Sequence, residues 1–440
     1  MIVCINPWVH DFTSYDLWAK PLGLMELYSW LRSNGIDAAY IDLLYQYYPE
    51  IPDSLREGNQ LRADQRAHFI REEIPKPEPY QTIGMKRRYF RFGMPEAIAE
   101  KMILGIDKPE MFLVTSIMTY WYPGVFETIT LLKRLYPGVP VVLGGIYAKL
   151  CTDHAVTFSG ADHVVATDDY GQLSSLIERY TGRHIAPCNS GLSLPLRWDV
   201  YPGLKYIPLR VSEGCPYNCP YCASRFIKPV YTGVALQRLI DEYTAWYDTG
   251  IRHFAFYDDA LLVDSENIIK PFLRYCITSG KTGFFHTPNA VHVNLFDDEL
   301  AELAGDAQFG TLRFGFETIR RSSPLSEQKT DMQNMEQLAD RLQKAGIPNE
   351  NVRIYLITGM PGQIAEETEE SINFIRSLGF IPIPNEYSPV PHTPMFDLAV
   401  KSSPFDIVHE PLYHNKTIVP CRWEGQTVDD VQRMKFLARH

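Results

Sequence analysis

Short apolar runs alternate with amphipathic stretches through residues 1–185, which predicts strands and helices in turn. Ile2–Asn6 is apolar almost throughout, the mark of a strand buried on both faces. Over Pro21–Ser33, Leu22, Leu24, Leu27, Trp30 and Leu31 form a helical stripe, and Gly35 stands where a helix stops. Ala38–Leu44, Met111–Ser116, Val139–Gly145 and His163–Thr167 read as four further strands. Val125–Leu135, punctuated by Pro137 and Gly138, and Gln172–Tyr180 read as helices. The alternation implies an α/β domain: a doubly wound parallel sheet of about five strands, covered on both faces.

Residues 46–110 break this rhythm. Rich in Arg, Lys, Tyr and Pro, they read as a partly helical insertion between the second and third strands. Its basic residues Lys76, Lys86, Arg87, Arg88 and Arg91 are expected on a solvated or domain-facing surface. Pro187, Pro195 and Pro202 mark residues 186–205 as a linker. A second alternating series fills residues 206–395. Its strands are Tyr206–Val211, His253–Tyr257, Gly283–Val293, Thr311–Phe316, Val352–Ile357 and Ile383–Tyr387. Its helices are Ala235–Tyr247, Glu266–Ser279, Asp298–Ala304, Met332–Ala345 and Glu366–Leu378. Six such units suit an open partial barrel, with chemistry at the carboxyl ends of its strands. Residues 396–440 read as an irregular extension packed over that barrel.

Composition narrows the function classes. Acidic residues outnumber basic ones by 53 to 42, a net charge of −11, which argues against a broad phosphate-binding surface and makes a nucleic-acid partner unexpected. No apolar run approaches the ~18 residues of a membrane span. The start, MIVCINPWVHD, reads as a strand rather than a signal peptide. Eight cysteines in 440 residues without a secretory signal are not a disulfide framework, so a reducing cytoplasm is the expected compartment.

Three of those cysteines carry the chemistry. Glu213-Gly214-Cys215-Pro216-Tyr217-Asn218-Cys219-Pro220-Tyr221-Cys222 follows the first strand of the second series. Thiols spaced C-x3-C-x2-C can close around one compact metal centre. A structural zinc wants four ligands, whereas a four-iron cluster held by three thiolates keeps one iron open to a small molecule. A zinc site with a remote fourth ligand and three unrelated thiols are the rival readings. Cys4, Cys151, Cys188, Cys276 and Cys421 are isolated and read as structural.

The loop, with aromatic Tyr221 before its last cysteine, resembles the cluster motif of radical S-adenosylmethionine (SAM) enzymes, and residues 206–395 resemble their partial (β/α)6 barrel. The resemblance implies that Cys215, Cys219 and Cys222 hold a [4Fe-4S] cluster. The cluster's open iron would chelate SAM, and one electron from a donor such as flavodoxin or ferredoxin would release a 5′-deoxyadenosyl radical. It further implies SAM contacts from Tyr221, from Asp258 and Asp259 after the second strand, from Glu317 in Gly315-Phe316-Glu317-Thr318, and from Gly359 and Gly362 in Gly359-Met360-Pro361-Gly362-Gln363. Two acids stand where the family's Gly-Gly-Glu is usual, and an N-cap role for them is the alternative. A plain strand-to-helix turn is the alternative for the Gly359 segment. Tyr387-Ser388-Pro389 and Thr393-Pro394 also match the family's ending. His286, Asn289 and His292, on or near the third strand, are either substrate-facing or core residues.

The preceding doubly wound domain, with Pro21-Leu22-Gly23-Leu24 opening its first helix, resembles the cobalamin-binding (B12-binding, flavodoxin-like) subgroup. That resemblance implies a slot for the cobalamin tail lined by Ser116, Gly144 and Gly145, beside Asn6-Pro7 at the sheet's carboxyl edge. The Asp-x-His-x-x-Gly signature for a cobalt-ligating histidine is missing; His10-Asp11 stands in the wrong order, and His10 is either a ligand or a surface residue. The implied activity is cobalamin-dependent methyl transfer to an unactivated centre of a small molecule. The alternatives are a radical SAM oxidoreductase, cyclase or mutase that makes no use of cobalamin, and a non-enzymatic binding protein with a structural metal knuckle. A tRNA methylthiotransferase is disfavoured, because only Cys4 and Cys151 lie in residues 1–185 and the tail is not markedly basic.

Overall fold

The computed structural model describes residues 1–167, 170–187, 194–319 and 330–439. Cys188 and part of the expected linker lie outside the described residues. The chain divides into two units, Met1–Leu204 with His409–Tyr413, and Lys205–Val408 with His414–His440.

In the first unit the apolar runs form β1 (Ile2–Asn6), β2 (Ala38–Asp42), β3 (Met111–Val114), β4 (Val141–Leu143) and β5 (His163–Val164). They make one parallel sheet in the order β2-β1-β3-β4-β5, the flavodoxin-like arrangement. All five side chains of β1 are buried, as an apolar run between two helical layers requires. Helices α1 (Leu22–Ser33), α2 (Tyr122–Leu135) and α3 (Tyr170–Thr181) match the stripes read from the sequence. Two short helices, Ile146–Leu150 and Thr152–Phe158, were not legible as stripes.

The insertion contains helices Glu78–Thr82 and Glu96–Leu104 but also adds strands. Arg71–Ile74 and Tyr89–Phe92 pair antiparallel, and Val9–Asp11, just after β1, pairs with Tyr89–Phe92. Val9, Phe69, Phe90 and Phe92 form the small core beneath. One surface expectation is corrected here. Lys86, Arg87 and Arg88 are exposed, but Arg91 is buried. Its guanidinium lies 2.5 Å from both Glu72 and Glu127 and stacks over Trp8, which is how a cation is accommodated inside.

The second unit is built on β6 (Tyr206–Leu209), β7 (His253–Phe256), β8 (Phe284–His286), β9 (Phe309–Glu317), β10 (Val352–Thr358) and β11 (Ile381–Glu386). Neighbours in this order are parallel throughout, giving a partial (β/α)6 barrel. Helices α4 (Leu236–Asp248), α5 (Ile269–Thr278), α6 (Asp298–Asp306), α7 (Met332–Lys344) and α8 (Ala365–Ser377) follow their expected stripes. Phe254, Phe285, Tyr243 and Phe272 pack between strands and helices. Each such aromatic pair adds roughly 0.5–1.5 kcal/mol beyond area burial.

Two expectations change. The third strand, read as Gly283–Val293, stops at His286 and resumes as the two-residue Val291–His292, which pairs with β9. Pro288 in the gap has no N–H for the ladder. The segment after residue 396 is not irregular: it contains helices Pro394–Ser402 and α9 (Val428–Leu437). Thr427 and Asp430 form a reciprocal capping box that starts α9. Within the second unit, Trp423 donates from its indole nitrogen to the Gln363 carbonyl at 2.8 Å.

Candidate active site

The cysteine loop leaves the carboxyl end of β6. Ser212–Glu213 pairs antiparallel with Thr232–Gly233, closing residues 214–231 into a loop. Gly214 opens it at φ +72°, and a Cβ there would sit 2.4 Å from the Val230 carbonyl oxygen, so only glycine fits. Cys215 and Cys219 are buried and Cys222 is exposed. The Cys222 amide donates to the Cys219 carbonyl at 3.0 Å, drawing the last two cysteines into one turn. Ser224 then starts a short helix and directs its N–H at the Cys222 sulfur, 3.5 Å away.

Neighbouring elements clamp the loop. Tyr217 stacks on His292 with centroids 4.2 Å apart, and Phe226 stacks on His392 at 4.0 Å. The Met395 amide donates to the Pro220 carbonyl at 2.9 Å. Sequence reading missed these pairs; His292 was singled out, but its tie to Tyr217 bridges 75 positions and leaves no local signal.

Tyr221 and Glu317, assigned separately from sequence, are brought together. The tyrosine hydroxyl donates to the Glu317 carboxylate. Burial pushes the Tyr221 phenol well up, and the Glu317 charge adds to it. Glu317 ends β9 at φ +69°, after a register shift between Gly315 and Glu317. Such backbone strain in a non-glycine residue costs about 1–3 kcal/mol and gathers at functional sites.

Asp258 is buried, and its Oδ1 accepts from the amides of Val211 and Ser212 at 2.9 and 2.5 Å and from the Ser212 hydroxyl at 2.9 Å. It thus anchors the strand end that enters the cysteine loop. Its Oδ2 is buried with no hydrogen-bond partner. Burial pushes its carboxyl up to about 6, opposed by those donors. Asp259 is exposed. Gly359 and Gly362 adopt φ +84° and +83° in the turn after β10. Buried Gln363 closes that turn, accepting from the Gly359 amide at 3.0 Å and donating to the Ile357 carbonyl at 2.9 Å. His286 is buried, 3.0 Å from His253 Nδ1, and Asn289 donates to the Tyr257 carbonyl.

In the first unit, Ser116, Gly144 and Gly145 meet at the carboxyl edge of β3 and β4. The Ser116 hydroxyl donates to the Gly144 carbonyl at 2.6 Å, and the Ile146 amide donates to the Ser116 carbonyl at 2.7 Å. Asn6 donates to Asp42 at 2.7 Å. His10 is neither a surface residue nor a lone imidazole. It is buried, with Nε2 2.5 Å from Glu127, because Val9–Asp11 became a strand against the insertion.

Residues 209–375 match the model of the Radical SAM superfamily, and the three cysteines stand near the head of that match. The chain is an enzyme that carries a radical SAM domain over these residues. That domain supports a [4Fe-4S] cluster and SAM as cofactors. The chain is 25% identical over 257 residues to an uncharacterized methyltransferase of Pyrococcus horikoshii, covering 54% of this chain and 50% of that protein. It is 24% identical over 273 residues to the threonylcarbamoyladenosine tRNA methylthiotransferase MtaB of Bacillus subtilis, covering 56% and 57%. It thus spans about half the length of the curated relatives it matches. In fold it is similar to the radical SAM methyltransferase TsrM of Kitasatospora setae. Against the structure with tryptophan substrate and a SAM analogue bound, the TM-score is 0.66 at 15% identity, over 98% of this chain and 88% of that one. Against the structure with cobalamin and a [4Fe-4S] cluster bound it is 0.66 at 16% identity, over 98% and 90%. No helix among the described residues is long and apolar enough to cross a membrane.

Proposed function

We propose that this enzyme is a cobalamin-dependent radical SAM methyltransferase acting on a small molecule. The observation that carries the reading is the joining of a glycine-opened C-x3-C-x2-C loop, at a barrel strand's carboxyl end, to a doubly wound sheet of flavodoxin-like order in the same chain. Likeness to TsrM, whose structures hold cobalamin, a cluster and a SAM analogue, supports it.

The donor set suits the cluster. Cys215, Cys219 and Cys222 would hold it, two of them shielded from water and the third beside an amide donor. Tyr221 holds the Glu317 carboxylate, and Glu317, Gly359 and Gly362 would line the SAM site at the strand ends. Asp258 Oδ2, buried and without a partner, suits the ammonium of SAM, and Asp259 would lie at that site's rim. When bound, the cluster and SAM supply a one-electron cleavage of the sulfonium bond, and cobalamin a methyl carrier. The chain's own part is to orient those groups and to keep water from the barrel.

Ser116, Gly144 and Gly145 would line the cobalamin tail slot. A Cβ on Gly144 would meet only the Val165 carbonyl oxygen, at 3.6 Å, an ordinary contact, so the slot's bulk can be changed there without a backbone clash. Gly144→Leu is expected to weaken hydroxocobalamin binding at least tenfold, followed by corrinoid absorbance after gel filtration, with iron content unchanged. Full corrinoid retention would favour the oxidoreductase, cyclase or mutase reading. The methylthiotransferase reading, despite the MtaB match, would need a second cysteine trio in residues 1–185, where the sequence has only Cys4 and Cys151.

A further inference from the structure

β9 carries a cation inside the barrel that nothing yet described uses. Phe314 and Phe316 pack outward on Phe296 and Phe374. The two-residue period of a strand then turns Thr311, Arg313 and Gly315 to the concave face, and Glu317, past the register shift, meets Tyr221. Arg313 is only 7% exposed, yet no carboxylate among the described residues pairs with it. Its Nη1 donates to the Tyr355 hydroxyl at 2.7 Å and reaches the Pro288 carbonyl at 3.4 Å. Its Nε is buried and has no hydrogen-bond partner.

This is an unusual state for a guanidinium. A buried charge is ordinarily paired, because desolvation is not repaid by neutral partners alone. The side chain is also held in place from several directions. Its backbone N–H donates to the Thr287 hydroxyl at 3.0 Å, and the Tyr355 hydroxyl, which receives Nη1, itself donates to the Pro288 carbonyl at 3.0 Å. One corner of the guanidinium is therefore fixed, and the Nε edge is left for a planar, two-oxygen acceptor.

We propose that Arg313, oriented by Tyr355 and the Pro288 carbonyl, seats a carboxylate of the substrate inside the barrel. This deepens the proposed function by assigning the substrate to the carboxylate-bearing small molecules, and it rests on that reading. SAM also carries a carboxylate. Arg313 lies four residues before Glu317, however, roughly 13 Å down the strand from the end where the cluster loop stands. The seat therefore belongs to the other reactant.

The test uses the anaerobically reconstituted full chain and benzoate as probe, with benzamide as the uncharged control and titration calorimetry as readout. Benzoate is expected to bind at millimolar concentration with or without saturating SAM, and benzamide at least tenfold more weakly. Arg313→Gln should lose benzoate binding at least tenfold while keeping iron content and the far-ultraviolet dichroism of the parent. Tyr355→Phe, which removes only the orienting hydroxyl, should lose less, and Arg313→Lys should fall between parent and Gln. Benzoate binding that is absent, that is equal in the Arg313 variants, or that disappears when SAM is added would each overturn the assignment. A chain that binds benzoate through Arg313 but takes up no iron would sink the proposed function and leave the carboxylate seat standing. Normal iron with no benzoate binding does the reverse.

Discussion

Cys219→Ala should reduce SAM cleavage to background. A four-iron cluster held by three thiolates leaves one iron open, and Cys219 is the middle one of the three proposed ligands. Its carbonyl receives the Cys222 amide at 3.0 Å, and its side chain is one of the two buried sulfurs. Alanine preserves the backbone turn but removes a ligand, so the effect falls on the metal centre rather than on the fold. Anaerobic assay of 5′-deoxyadenosine under dithionite is the measurement, with iron content alongside. Cys276→Ala is the control. That thiol is buried in α5, and burial pushes it up to about 12, so it is a protonated core group. Its loss is expected to leave both iron and cleavage in place. Deoxyadenosine at parental levels from the Cys219 variant would show that the loop is not the cluster site.

The largest effect on stability is expected at Gly145. It adopts φ +91° and ψ −171°, a region closed to residues with a side chain, and links β4 to the next helix. A Cβ there would lie 2.3 Å from the Ser116 carbonyl oxygen and 2.5 Å from its nitrogen, both backbone atoms with nowhere to go. Dihedral strain alone costs about 1–3 kcal/mol, and separating the two strand ends also breaks the bond from the Ile146 amide to the Ser116 carbonyl. Gly145→Ala is therefore expected to destabilise the first unit by at least ~3 kcal/mol, against about 1 kcal/mol or less for Gly144→Ala. Urea unfolding followed by fluorescence of the first unit's buried tryptophans separates the two. Equal midpoints for the two alanine variants would refute the close-approach argument.

Much of this molecule was legible because its signals are local. An all-apolar pentapeptide is a buried strand wherever it occurs, so β1 was found at its true bounds. Three cysteines within eight residues need no tertiary information to be proposed as one ligand set. What was missed is set by pairing across distance. Arg91 looked like one of a run of surface cations, and only the packing of Tyr89–Phe92 against Val9–Asp11 turns it inward toward Glu127. His10 was obscured for the same reason. The third barrel strand was read through Pro288 because apolar residues continue on both sides, but a proline cannot donate to the ladder. Asp258 shows the partial case. Its position at a strand end was evident, whereas its grip on the Ser212 amide depends on β6 and β7 lying side by side. The Tyr221–Glu317 pair joins two motifs that the sequence offered separately, 96 positions apart.

The most direct test is the metal content of the wild-type chain after anaerobic reconstitution with iron and sulfide. About four irons and four acid-labile sulfides per chain are expected, with an electron paramagnetic resonance signal in the reduced protein that changes when SAM is added. One zinc per chain, with no iron retained, would contradict the account.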